Sequence, residues 1–173
     1  MSNPHAPEQE PATPFECFAP TAPGLEQVLD AELEALGLQG RRLATGGCFF
    51  MATLPELYRA LMWLRTASRI LRIVGSFPCQ SEEELYQGAL ALPWDRWMRP
   101  DQTFAVRVRL NRSMLPSAPN AALRIKDAIV DRIREAVGSR PSVDKRDPHI
   151  PVQAWLDDGQ CSIAVDAAGA ALF

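Results

Sequence analysis

TFAVRVRLNRSMLPSAPNAALRIKDAIVDRIREAVG, residues 103–138, changes its period once, and that change decides the fold. In 103–110 the apolar positions at Phe104 or Ala105 alternate with Arg107 and Arg109, the pattern of a strand with one wet face. SMLPSAPN at 113–120 holds two prolines and no regular pattern, so it is a loop. From about Asn120 the apolar residues Ile125, Ile129, Val130, Ile133 and Val137 recur at helical spacing until Gly138 stops them. A strand followed by a long amphipathic helix is a β–α step, which places this chain among mixed folds.

The same grammar extends outward in both directions. Downstream, QAWLDD and QCSIAVD flank Asp158-Gly159, a two-residue turn signal that closes a β-hairpin. Upstream, FECFAP at 15–20 reads as a strand, and Leu25, Val28, Leu29, Leu33 and Leu36 form a helix ended by Gly37. GGCFFMA at 46–52 is a second strand, and Thr53-Leu54-Pro55-Glu56 is a capping box opening a helix through Leu64. RILRIVGSF at 69–77 is a third strand, and Ser81-Glu82-Glu83-Glu84 caps a helix that ends near Pro93. Residues 1–14 carry four prolines and almost nothing large and apolar, so they read as a disordered tail. Interleaved elements that close on an antiparallel pair predict an α+β fold with helices packed on mixed sheets.

Charge is segregated along the chain. The formal net charge is −3. Residues 1–40 contain seven acids and no Lys or Arg, whereas Arg99–Arg146 holds eleven basic residues against five acidic. A local basic footprint of this kind suits phosphate binding; a solvated face of mixed charge is the alternative. The four cysteines lie far apart with no Cys-x-x-Cys pair, and His5 and His149 are the only imidazoles, which argues against zinc. No apolar run is long enough to span a bilayer, so the expected setting is the reducing cytoplasm with free thiols.

Within the basic stretch, Arg107, Arg109 and Arg112 cluster near one sheet edge, and Lys145 and Arg146 occupy the turn-rich segment PSVDKRDP. On the long helix Arg124 falls on the polar side, but Lys126 falls inside the apolar arc. Either its ammonium snorkels past the helix end, or it joins free N–H groups at the helix N-terminus to hold a phosphate. Trp63 and Trp155 are assigned to the core, and so is the Trp94–Trp97–Met98 helical-turn set beside Arg96 and Arg99. Glycine-rich phosphate loops and Gly-x-Ser-x-Gly are absent. Asp144, Asp147 and His149 can be drawn as an acid–base set, the one grouping from which a small enzyme could be argued.

Taken together, GLEQVLDAELEALG at 24–37, GG-x-x-F at 46–50, LYRALMWLRTASRIL at 57–71, TFAV at 103–106 and KDAIVDRIREAVGSRPSVD at 126–144 resemble the front part of bacterial large-subunit ribosomal RNA guanine-N(2) methyltransferases. The resemblance runs from about Phe15 to Leu172. It implies a ferredoxin-like portion at 15–55, a THUMP RNA-binding domain at 56–168, and the start of a linker at 169–173. Members of that family continue into a Rossmann-like domain that binds S-adenosylmethionine, so this chain reads as an N-terminal piece whose parent carries the methyl transfer. Lys126 and Asp127 match the family's Lys-Asp pair. Met114–Asn120 departs from it, holding MLPSAPN where relatives place a polar Ile-Arg-Asn-Ser-Gln-aromatic run.

The resulting expectation is a module with no catalytic site and no cofactor or metal of its own. It would bind large-subunit ribosomal RNA through Arg107, Arg109, Arg112, Arg124, Lys126, Lys145 and Arg146 and dock that RNA for its own C-terminal methyltransferase domain. The rival reading is a scaffold that positions the catalytic domain without touching RNA.

Overall fold

A computed structural model describes residues 13–167, and the chain divides into two compact units, 1–68 and 69–173. The tail read over residues 1–14 falls, except for its last two residues, outside the described part, and so does the 169–173 linker. The division after Ser68 assigns the helix that opens at Leu54 to the first unit, whereas the sequence reading began the second at Glu56.

The first unit runs β1 (Phe15–Pro20), α1 (Glu26–Ala35), β2 (Gln39–Ala44), β3 (Gly47–Ala52), α2 (Leu54–Trp63). β3 is central, antiparallel to β1 in the register Phe15↔Ala52 to Pro20↔Gly47 and antiparallel to β2 on its other side. Leu29 and Leu33 of α1 and Leu57 and Ala60 of α2 are fully buried, as are Cys17, Ala19, Cys48, Phe50 and Ala52 of the strands. The capping box is in place, since the Glu56 carboxylate accepts from the Thr53 N–H at 2.8 Å and its hydroxyl at 2.9 Å. Two features escaped the sequence reading. β2, QGRRLA, is mostly exposed and has no alternation to betray it. Trp63, assigned to the core, is 66% exposed at the end of α2, next to Met62 at 74%.

β2 pairs along β3, and its charges add contacts to its neighbours. Arg41 meets Asp30 at 3.0 Å and Glu34 at 3.1 Å, and it donates to the Leu38 carbonyl at 2.7 Å. Arg42 lies 4.2 Å over the Phe49 ring and 3.4 Å from Glu16. Charged side chains on an edge strand also deter pairing with another chain. The Glu32 carboxylate of α1 accepts from the N–H groups of Arg65 and Thr66, at 3.2 Å each, and from the Thr66 hydroxyl at 2.8 Å, tying the segment after α2 to α1.

The second unit runs β4 (Leu71–Pro78), α3 (Glu82–Leu90), a single 3₁₀ turn (Trp94–Arg96), β5 (Thr103–Asn111), α4 (Ala118–Val137), β6 (Ser142–Val143), β7 (Ile150–Asp157), β8 (Gln160–Asp166). Its strands lie in the order β4-β8-β7-β5-β6. β8 is antiparallel to β4 and β7, while β5 is parallel to β7 and β6. The sheet is therefore mixed, as the α+β reading expects. Asp158 and Gly159 both take positive φ, 50° and 77°, the geometry of the tight hairpin turn their sequence signals. The short parallel pairing of β6 was not foreseen.

One core serves this unit. Phe104 of β5, Ile150, Val152, Ala154 and Leu156 of β7, and Cys161, Ile163 and Val165 of β8 pack with Leu85 and Ala89 of α3 and Ile125, Ala128, Ile129 and Ile133 of α4. Both helices therefore serve the same face of the sheet. Trp94 is fully buried beneath them and donates its indole N–H to the Ala89 carbonyl at 2.8 Å.

Two outcomes follow. Trp94→Ala removes a buried indole and its hydrogen bond, and urea denaturation should show a loss of about 3–5 kcal/mol. Three carboxyls of the first unit also make the fold acid-sensitive. Hydrogen bonds hold Glu26 below its ordinary 4.5, from its own N–H first and then those of Gly46 and Gly24. Thr53 does the same for Glu56 through its N–H and hydroxyl. Burial pushes the Glu32 carboxyl up, but the bonds from Thr66 and Arg65 outweigh it and its pKa also lies below 4.5. A depressed folded-state pKa gives stability that is complete above the ordinary value and lost as pH falls through the lowered one. Denaturation midpoints should fall below pH 4.5, and Glu32→Gln with Glu56→Gln should flatten that acid limb.

Candidate nucleic-acid interface

β5 carries the first cations. Its even positions, Phe104, Val106, Val108 and Leu110, pack into the core, so Arg107 and Arg109 emerge on the opposite face, both exposed. Among the described residues neither has an acidic partner. At the end of the strand Arg112 takes a left-handed backbone, φ 44°, and forks onto Asp157, Nε to Oδ1 at 2.9 Å and a terminal nitrogen to Oδ2 at 3.1 Å. Asn111 donates to the same carboxylate at 3.2 Å. The Arg112 charge is thus matched by a fixed carboxylate.

The helix cations are committed in the same way. Arg124 reaches Glu83 of α3 at 3.3 Å and lies 5.0 Å over the Tyr86 ring, bracing α3 against α4. Tyr86 donates its hydroxyl to Asp131 at 2.7 Å, which raises its pKa, and Arg134 pairs with Asp131 at 2.8 Å. These residues line an open depression with Asp127 and Arg140, where the carboxylates offset the arginines. Lys126 sits too deep in α4 for either of its two readings. α4 begins at Ala118, with Ser117 accepting from the Asn120 N–H at 3.3 Å, so Lys126 lies eight residues in, about 12 Å from the helix start. It cannot share a ligand with the free N–H groups there. Its side chain is 25% exposed and its ammonium meets Asp127 at 2.8 Å.

Lys145 and Arg146 sit in the loop after β6, where Asp144 accepts from the N–H groups of Arg146 at 2.9 Å and Asp147 at 3.2 Å. That turn depresses the Asp144 pKa and leaves both basic side chains exposed. The loop lies beside the start of β5, since Asp144 donates its N–H to the Phe104 carbonyl at 3.0 Å. His149 is engaged by Thr103, whose N–H reaches Nδ1 at 3.0 Å and whose hydroxyl lies 2.8 Å from it. The drawn set of Asp144, Asp147 and His149 is consequently a loop clasp: Asp144 holds the turn and His149 holds Thr103.

The seven residues do not form a single groove. Arg107 and Arg109 lie on the open sheet face, Lys145 and Arg146 near the start of β5, Arg112 at its end, and Arg124 and Lys126 on a helix that packs on the other face. Sequence reasoning missed Trp155, assigned to the core. It is half-buried on β7 between the buried Ala154 and Leu156, in register with Arg109. The strict alternation of Val152, Ala154 and Leu156 with Gln153, Trp155 and Asp157 was the signal that could have found it.

Fold and surface together define a tandem of two small α+β units, the second with a basic sheet face. Among the described residues no group of three or more His, Cys, Asp or Glu side chains is placed to hold a metal, and no helix is long and apolar enough to cross a membrane. The chain belongs to the THUMP domain family, whose model matches residues 79–166, and the RlmL ferredoxin-like domain matches residues 16–71.

Curated relatives agree. The chain is 39% identical over 158 residues to ribosomal RNA large subunit methyltransferase K/L of Dichelobacter nodosus and 37% identical to that of Pseudomonas fluorescens, covering 91% of this chain in each case. It spans 22% and 21% of their lengths, about a fifth. Among solved structures, a predicted N6-adenine-specific DNA methylase from Listeria monocytogenes matches at TM-score 0.80 and 27% identity, over 89% of this chain and 40% of that one. A 4-thiouridine synthetase solved with RNA and ATP matches at TM-score 0.60 and 14% identity, over 89% of this chain and 41% of that one, a likeness of fold alone.

Proposed function

We propose that this chain is an RNA-binding module that docks large-subunit ribosomal RNA for a methyltransferase domain carried elsewhere in the same protein, in the cytoplasm. S-adenosylmethionine would be the methyl donor of that domain and not a ligand of this one. The observation that carries the reading is the THUMP match over 79–166 together with two exposed arginines, Arg107 and Arg109, that no described acid neutralises. A cation without a protein partner has its full charge available for phosphate, and each phosphate it neutralises releases counterions. The names of the curated relatives supply the substrate class.

The contacts divide by commitment. Arg107, Arg109, Lys145 and Arg146 are the phosphate contacts. Arg112, Arg124 and Lys126 already hold carboxylates, so they contribute less. Filter binding of a large-subunit rRNA fragment across a salt series tests this. Four engaged cations give a slope of about −3 in log affinity against log salt on single-stranded segments. Arg107→Gln with Arg109→Gln should reduce that slope by about 1.4, whereas Arg124→Gln should leave it nearly unchanged. Binding that is undetectable, or insensitive to salt, would count for the scaffold reading instead.

A further inference from the structure

The open face of the second unit holds more than charge. Strand register aligns one row across four strands: Ser76 of β4 opposite Ser162 of β8, Ser162 opposite Trp155 of β7, and Trp155 opposite Arg109 of β5. The Ser76 and Ser162 hydroxyls lie 2.9 Å apart, so those two side chains point the same way. The chain neighbours of each remaining member belong to the core: Cys161 and Ile163 around Ser162, Ala154 and Leu156 around Trp155, Val108 and Leu110 around Arg109. The whole row therefore stands on the face opposite α3 and α4. One step along, Gln153 is opposite Arg107. With strands about 4.8 Å apart, the row runs about 14 Å from hydroxyl to guanidinium, with the indole between them.

We infer that this row is a single-stranded RNA platform, on which Trp155 stacks one unpaired nucleobase while Arg107 and Arg109 hold the flanking phosphates and Ser162, Ser76 and Gln153 meet base edges or 2′-hydroxyls. The inference deepens the RNA-binding reading and rests on it. A half-buried indole set among hydroxyls, an amide and two arginines without an acidic partner among the described residues suits a ligand that is aromatic in one part and anionic in the next. Single-stranded RNA has that alternation; an RNA duplex hides its base faces and presents only its edges and backbone. A protein surface would more naturally cover an apolar patch, and here the indole's row neighbours are polar.

The test uses this chain with fluorescently labelled RNA, one large-subunit sequence offered as a single strand and as a perfect duplex. Trp155→Ala should weaken single-strand binding by about 5- to 150-fold, the range of one lost base stack, and leave duplex binding within twofold. Trp155→Phe, which keeps a ring, should restore most of the loss, and thermal unfolding of each variant checks that it is folded. Independently, 5-iodouridine crosslinking to the unaltered chain should map to Trp155 by mass spectrometry. If wild type and Trp155→Ala bind the single strand equally and no crosslink reaches Trp155, the platform is wrong while RNA binding stands, and the face is left for a protein partner. Equal losses on both RNAs would also overturn it, since they mark a structural role. Failure of the unaltered chain to bind either RNA would overturn the RNA-binding reading, and the platform with it.

Discussion

Everything in the second unit depends on the parallel pairing of β5 with β7, in register from Phe104↔Ile150 to Asn111↔Asp157. Two parallel neighbours cannot be joined by a tight turn, so the chain must cross over, and α4 is that crossover. Once α4 lies on one side and α3 packs beside it, that side of the sheet becomes the core face. Alternation then sorts most strand residues, although Ala105 and Ala164 are buried on the other face as well. Phe104, Val152, Leu156 and Ile163 enter the core, while Arg107, Arg109, Gln153, Trp155 and Ser162 are set on the other face. The candidate interface is thus the complement of the core, produced by the same period of two.

Where burial is one-sided, the sequence was readable. β5, α4 and the β7–β8 hairpin each carry a strong periodic or turn signal, and each occurs where the pattern puts it, as do the caps at Thr53 and Ser81. β2 was illegible because an edge strand needs little apolar content; it is held by its ladder with β3, and Arg41 and Arg42 add contacts to residues distant in sequence. β6, two residues long and exposed, leaves no pattern at all. Tryptophan misled at Trp63 and Trp155 through a rule of composition, that large aromatics fill cores, applied where position should have ruled. The exposed Trp63 lies at the last residue of α2.

The candidate site was legible in a different sense, as a set of charges without their partners. Linear sequence places Arg112, Arg124 and Lys126 in a basic stretch, but it cannot see that Asp157, Glu83 and Asp127 meet them. Of these only Asp127 is adjacent in sequence; Asp157 and Glu83 arrive through the β5–β7 register and the α3–α4 packing. Counting net charge over a window therefore overstates the available positive charge, because folding pairs charges across elements.

That sorting has an energetic consequence for binding. An exposed ion pair contributes only about 0–1 kcal/mol, so a polyanion could displace Asp157 or Glu83 from its arginine at little direct cost. The displaced carboxylate, however, stays beside the incoming phosphate and repels it. Arg124 also gives up its position over Tyr86 if it swings out, and with it the brace between α3 and α4. Arg107 and Arg109 incur neither cost, since nothing charged must leave before a phosphate arrives. The proposed preference for the sheet face over the helix pair thus rests on what each cation must abandon, not on how many cations each surface shows.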